Sequence, residues 1–263
     1  MSDDNAKQVA LALPGEWAVK KLLGPTLEEI GGDLNKLYSV GRDKILKVAI
    51  RKSNIDDDKK ANLRVTRDVF WNGSFTNETI CAEYFGGILA SSRSTDGKDD
   101  RGVYYTDIIK SLSSQQLLLH YIIYHCLNKL WLEMVPDKQR PNVGDATEIG
   151  IYNLWMSTIE LEHTGVISID KDLIALNSKG LVNDFEAKGY KLESGKEVPY
   201  TKVEITTLGI QLYAVACNKL HEWRKFPIED FGEFPDIKVP RYFAFSLDEL
   251  LIKAKLKKDD KNK

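Results

Sequence analysis

The residues of this chain best suited to metal binding or nucleophilic chemistry are its three cysteines and four histidines. His120, His125 and Cys126 fall in one stretch that reads as a helix, and Cys217 and His221 in another, where a spacing of four places both on one face. Together they suggest a zinc site. The angles oppose it, because residues five apart on an α-helix point about 140° away from each other, so His120 and His125 do not address one ion together. The cysteines are odd in number, far apart and without a C-x-x-C pair, which argues against a disulfide framework or a zinc knuckle. All five residues therefore read as buried or half-buried helix positions, with no metal and no cofactor expected.

The loop Asp96-Gly97-Lys98-Asp99-Asp100-Arg101-Gly102 leading to Asp107 has the outline of a calcium loop. A lysine at the third ligand position and a glycine one place late make it a solvated turn instead. The chain has no G-x4-G-K-[ST] phosphate loop, no G-x-S-x-G elbow and no H-E-x-x-H zinc helix, so nucleotide hydrolysis and serine or zinc hydrolysis lack their usual warrant. No catalytic residue is assigned.

The remaining chemistry is recognition. A helix capped by Asp145 and running through Ile151, Leu154, Trp155, Thr158 and Leu161 to about His163 is predicted from its cap and spacing. On it Asn153 and Ser157 are placed to reach base edges, while Trp155 and Met156 mark core or a protein-binding face. Charge separates these readings. No lysine or arginine lies between Asp145 and Asp170, although phosphate contacts supply much of the affinity for DNA. Asn153, Trp155, Met156 and Ser157 are therefore the candidate interaction residues, with protein contact preferred over DNA.

These residues must be positioned by the elements around them. At 263 residues, 43% hydrophobic and 29% charged, the chain is a globular protein large enough for two domains. Residues 1–115 and 226–263 each balance to zero charge and 116–225 carry the net −2, so no segment is a basic magnet for nucleic acid. The acidic start Met1-Ser2-Asp3-Asp4 is unlike a signal peptide, and the most apolar stretch, Leu117 to Val135, is interrupted by polar residues and reads as a buried helix, not a membrane span. A cytoplasmic location is expected.

The first half reads as helices. One short helix is expected over Glu16 to Leu23, another from a capping box at Thr26, one over 34–50, two between Asn62 and Arg93 divided at Asn72 to Glu78, where Asn72-Gly73 favours a turn, and a short helix or turn over 103–109. In the second half a long helix over Ser114 to Met134 precedes the Asp145 helix. Then follow a β-branched run at Val166 to Ile169, a charged insertion over 170–198 with its own helix at Leu181 to Lys188, an alternating strand at Tyr200 to Ile205, and a final helix from Thr206 that carries Leu208, Leu212, Val215 and Leu220. That order, with Gly165 supplying a left-handed turn and Thr206 a cap, resembles a winged helix in which 170–198 is a long wing. The predicted fold is thus mainly α: a helical domain over 1–113, a winged-helix-like α+β domain over 114–225, and an extension over 226–263 with a short helix at Ser246-Leu247-Asp248-Glu249 and a charged, disordered tail.

Three stretches resemble the Abi-alpha family, bacterial proteins associated with abortive phage infection: Leu23-Gly24-Pro25-Thr26-Leu27-Glu28-Glu29-Ile30-Gly31, Glu83-Tyr84-Phe85-Gly86-Gly87-Ile88-Leu89-Ala90-Ser91-Ser92, and Tyr105-Thr106-Asp107-Ile108-Ile109-Lys110-Ser111-Leu112-Ser113. With the C-terminal half, the blocks cover roughly residues 15–225. Val103-Tyr104-Tyr105 stands where the family has a histidine-proline pair. The resemblance implies a bacterial anti-phage defence protein and carries over no catalytic residue. In that setting the R-x4-6-H pattern of HEPN ribonucleases would be relevant, and no arginine here has a histidine at that distance. The expected function is a non-catalytic sensor or adaptor contacting a phage or host protein. The alternatives are a winged-helix DNA-binding regulator and a membrane-associating effector using Trp17, Lys20, Lys21, Leu22 and Leu23.

Overall fold

A computed structural model of the chain describes residues 27–53, 58–76, 78–192, 195 and 197–259. It is mainly helical with two small antiparallel sheets. The first half contributes α1 (Leu27–Lys52), β1 (Lys60–Ala61), α2 (Leu63–Gly73), α3 (Thr79–Ser91), β2 (Arg93–Ser94) and α4 (Gly102–Ile109). The short strands β1 and β2 pair with each other. Asn62 starts α2 by accepting hydrogen bonds from the amides of Arg64 and Val65, as an N-cap residue does. The expected helix at Glu16 to Leu23 and the Thr26 cap lie outside the described residues, as does the end of the tail.

The second half opens with α5 (Ser114–Met134), entered through a reciprocal capping box between Ser113 and Gln116. It continues with α6 (Ala146–Gly150), β3 (Asn153–Ser157), α7 (Thr158–His163), α8 (Ile169–Ser178), β4 (Val182–Lys191), β5 (Glu197–Ile205), α9 (Thr207–Ala216), a 3-10 turn over Leu220–Lys225, β6 (Phe243–Ala244) and α10 (Leu247–Asp259). The larger sheet has the order β4-β5-β3-β6, antiparallel throughout.

Helices α3, α5 and α9 make the centre. Every residue of α3 from Ile80 to Ser91 is buried, as is every residue of α9 from Leu212 to Ala216; helices apolar on all sides belong inside a core. One contiguous cluster of buried side chains runs from Ile45 to Phe234, and a smaller one joins Tyr200, Ala244 and Leu250 beneath α10. Asn128 of α5 ties the chain after the 3-10 turn into this core. Its amide donates to the carbonyls of Phe226 and Glu229, and its oxygen accepts from the Phe231 amide.

Four sequence expectations are corrected. The Asp145 cap is present, with its carboxylate accepting from Thr147 and Glu148, but the helix ends at Gly150. Residues 153–157 form β3, paired with β5 on one side and β6 on the other. A short apolar run carries no periodicity that separates strand from helix, and here two neighbouring strands decide. Val166 to Ile169 is not a strand. Gly165, at φ 101°, turns the chain from α7 toward α8, and Asp170 and Asp172 suit the positive end of the helix that follows. The insertion over 170–198 is most of α8 plus strand β4, not a wing with a helix at Leu181 to Lys188. Finally, α9 stops at Ala216, because Asn218 adopts a left-handed conformation at φ 58°, which leaves Leu220 and His221 in the separate 3-10 turn.

Candidate interaction surface

The four residues nominated from a helical reading lie on β3, whose side chains alternate between faces. Met156 and its neighbour Leu154 are fully buried. Trp155 is half-buried, with its ring 5.1 Å from that of Tyr200 and Lys202 Nζ 5.8 Å from its centroid. Ser157 uses its hydroxyl to accept from the Glu160 amide and so starts α7. Asn153 stands opposite Glu204 of β5. The four residues are therefore brought together along a strand, not as one outward surface.

The outward surface belongs to α7, α8 and β4. Along α8, Ile169, Asp172, Leu173 and Leu176 form the buried stripe, with the spacing of an amphipathic helix. Asp170, Lys171 and Ile174 face out, and Asp170 and Ile174 are four apart on one side. Ile174 is 58% exposed and Ile167, just before the helix, 80%. Ile159 of α7 and Tyr190 near the end of β4 are also exposed. A groove of about 410 Å3 lies between the start of α8 and the β4–β5 hairpin, lined by Glu162, Ile167, Asp170, Lys171 and Lys188 among others.

The charges of this face nearly balance, with one outward carboxylate in excess once the buried Asp172 is set aside. From Thr158 to Lys191 there are four lysines, no arginine and six carboxylates. Asp172 points inward, and burial pushes its carboxyl above the usual range. Glu186 is held low by the hydrogen bond from the Tyr200 hydroxyl and by the nearby Lys188. The outward isoleucines escaped the sequence reading, although their signal was there: Ile174 falls off the stripe that its own helix buries, and Ile167 sits between two residues that point in, Val166 and Ile169.

The histidines and cysteines do not converge. His120 is enclosed in the core, where its Nδ1 shares a hydrogen bond of 2.5 Å with the Tyr84 hydroxyl, and burial drives its pKa down to about 3. His125 stacks on Tyr121, with ring centroids 5.2 Å apart, and meets the Tyr213 hydroxyl at 3.3 Å; burial lowers its pKa too. Burial raises the Cys126 thiol well above its ordinary value and Cys217 to about 12, so neither is a ready thiolate. His221 is at the surface beside Arg101 and Asp99. The expectation that Cys217 and His221 share a helix face fails because α9 ends at Ala216, leaving Cys217 as its cap and His221 in the 3-10 turn. Among the described residues no group of three or more His, Cys, Asp or Glu is arranged to hold a metal.

The acids of the 96–107 segment are likewise separated. Asp96 accepts from Ser94 and the Lys98 amide, Asp99 pairs with Arg101, and Asp107 on α4 pairs with Lys110. Among the described residues no helix is long and apolar enough to cross a membrane.

No protein-family model matches this sequence, no curated protein matches it, and no solved structure matches its fold.

Proposed function

We propose that β3, α7, α8, β4 and β5 form a winged-helix-like module, with α8 in the place of the recognition helix and the β4–β5 hairpin as the wing. We further propose that it works through protein contacts, as a non-catalytic sensor or adaptor in bacterial anti-phage defence of the abortive-infection type. The module reading is supported by the chain order of strand, two helices and hairpin, and by the strand order β4-β5-β3. The defence reading is supported by the resemblance of three stretches to Abi-alpha proteins.

One observation carries the choice of protein over DNA. The side that a winged helix turns toward DNA here offers Ile167 and Ile174 and no arginine, and its four lysines, Lys171, Lys179, Lys188 and Lys191, are accompanied by Asp170, Asp184 and Glu186. Phosphate recognition needs an excess of cations, whereas exposed isoleucines beside a groove suit a protein partner.

The test is a phage challenge of cells expressing the chain alone, paired with a pull-down from infected and uninfected cells, for the wild type and for the double variant Ile167→Asp, Ile174→Asp. The wild type is expected to protect and to retain a specific phage or host protein, and the folded double variant to lose both. Absence of protection, with nucleic acid as the co-purifying species, replaces this reading with a DNA-binding regulator.

A further inference from the structure

The larger sheet has two edges, and they are finished differently. At one, β6 is only two residues long, and Lys253 of α10 donates to the Phe243 carbonyl at 2.9 Å, taking a backbone group that another strand would need. At the other, β4 runs for ten residues with no strand beyond it among the described residues.

Which backbone groups of β4 face out follows from the pairing. Ser157 of β3 donates its amide to the Tyr242 carbonyl on the β6 side. By the alternation of antiparallel strands, Leu154 and Met156 then bond β5, at Val203 and Thr201. The intervening residues of β5 are left to bond β4, and their partners are Asp184, Glu186 and Lys188. Pro199, which has no amide hydrogen, stands opposite Gly189 and fits the same alternation. The amides and carbonyls of Phe185, Ala187 and Gly189 therefore point away from the sheet. Only the start of the strand is covered: the Asn177 side chain donates to the carbonyls of Val182 and Asn183, where the ladder is irregular.

Edge strands are commonly kept from pairing by like charges, a proline or a bulge. From Phe185 to Gly189 β4 has none of these. Its charges are instead antisymmetric about Ala187, with Glu186 before it and Lys188 after it. A second copy related by a two-fold axis through Ala187 sets each Glu186 opposite the other chain's Lys188. These are non-hydrogen-bonded positions, where facing side chains come closest. Within one chain Lys188 Nζ already lies 3.3 Å from Glu186, so the charges around the axis alternate in sign. Other axes are worse. Through Glu186 or Lys188 the axis sets that residue against itself, and through Phe185 it sets Glu186 against Asp184; like charges directly opposite are destabilising. Through Gly189 it leaves only residues 187–191 of β4 to overlap.

We propose that this chain forms a two-fold dimer through β4, with Ala187 opposite Ala187 and Phe185 opposite Gly189, joining the two larger sheets into one. Each of these pairs exchanges two backbone hydrogen bonds. A second copy carries the complementary order of charges by symmetry, whereas an arbitrary extended peptide does not. The outer edge of the hairpin is used and not α8, so the dimer forms whatever α8 contacts.

The experiment is sedimentation equilibrium of the full chain from about 1 to 100 μM, for the wild type, Lys188→Glu, Glu186→Lys and Ala187→Pro, with thermal melts for each. The wild type is expected to dimerise in that range. Lys188→Glu brings only carboxylates to the axis and Glu186→Lys only lysines, and each alone is expected to dimerise at least about tenfold more weakly. Mixed one to one, the two are complementary again and are expected to form a mixed dimer. Ala187→Pro removes an outward amide and leaves the bonds to β5 in place, so it is expected to stay monomeric. Glu186 also accepts from the Tyr200 hydroxyl, so if Glu186→Lys melts early, Lys188→Glu and Ala187→Pro decide. A wild type that is monomeric throughout, dimerisation unchanged in Ala187→Pro or Lys188→Glu, or folded charge variants whose mixture does not pair each overturn the dimer. A monomeric wild type that captures an extended host or phage peptide, with capture lost in Ala187→Pro, overturns it in favour of a foreign strand.

Discussion

The interior around α5 and the outer face of α8 sort residue types in opposite senses. In the interior, side chains with chemical potential are withdrawn from solvent: Glu83 is 1% exposed, and His120, Cys126 and Tyr84 are fully buried. On α8 and the segment before it, Ile167 and Ile174 are in water, with Asp170 and Lys171 exposed on the same helix. Inside, the polar groups are spent on one another. Glu83 meets both Arg51 and Lys52 at 2.6 Å, and Lys52 Nζ also donates to the carbonyls of Glu83 and Ala216 while lying 4.1 Å from the Phe234 ring centroid. Reactive residue types thus serve the fold, and apolar ones are left for contact. Composition alone would have assigned these roles the other way round.

The strongest way to break the comparison is to strip the interior of a counter-charge. Glu83→Gln leaves Lys52 buried without its partner, and removing one member of a buried ion pair costs about 3–5 kcal/mol. Urea unfolding is expected to show a loss of that size. A loss below about 1 kcal/mol would mean that water reaches the pair.

Gly87→Ala probes the packing of the same region. A methyl at Gly87 would stand 2.0 Å from the Ala216 carbonyl oxygen, and backbone has no rotamer by which to yield. The two central helices must separate, at about 1–3 kcal/mol, and the melting temperature is expected to drop.

His120→Phe sharpens the account through pH. The unfolded imidazole takes a proton near 6.5, whereas the folded one holds out to about 3, so the unfolded state binds more protons between these values. Stability therefore rises with pH across that window and is lost as pH falls through it. The variant is expected to show a shallower dependence of unfolding free energy from pH 6.5 downward, with a residual slope from His125, which shifts in the same direction. At neutral pH it is expected to be weaker by about 1–3 kcal/mol, since the buried Tyr84 hydroxyl loses its partner. An unchanged slope would place His120 in contact with water.

The smallest effect on stability is expected on the outer face. Ile174→Asp changes an exposed position off the buried stripe and should move the unfolding free energy by no more than about 0.5 kcal/mol. Partner capture and protection should nonetheless fall. A large destabilisation would show that the isoleucine serves the fold after all, and the contrast between the two regions would collapse.

Much of the fold was legible where the signals were local. The start of α5 was expected at Ser114, Thr206 marked that of α9, Asn72-Gly73 lay at the break between α2 and α3, and the left-handed Gly165 ended α7. The candidate surface was less legible. Asn153, Trp155, Met156 and Ser157 were read on a helix because Asp145 caps one and apolar residues follow it, yet the same run satisfies a strand. The residues that face out, Ile167 and Ile174, required knowing where α8 lies.

By itself, then, the sequence determined a mainly helical protein with a near-neutral charge, an apolar central helix, and caps and turns that depend on residues three or four positions apart. These features follow from backbone hydrogen bonding within a few residues. Tertiary structure alone decided that 153–157 is a strand, because its partners, Tyr200 to Glu204 and Phe243 to Ala244, lie far along the chain. It alone separated Cys217 from His221 and enclosed His120. It alone put β4 at the edge of the larger sheet. Such outcomes depend on pairing and burial between distant segments, for which no local pattern of residues is sufficient cause.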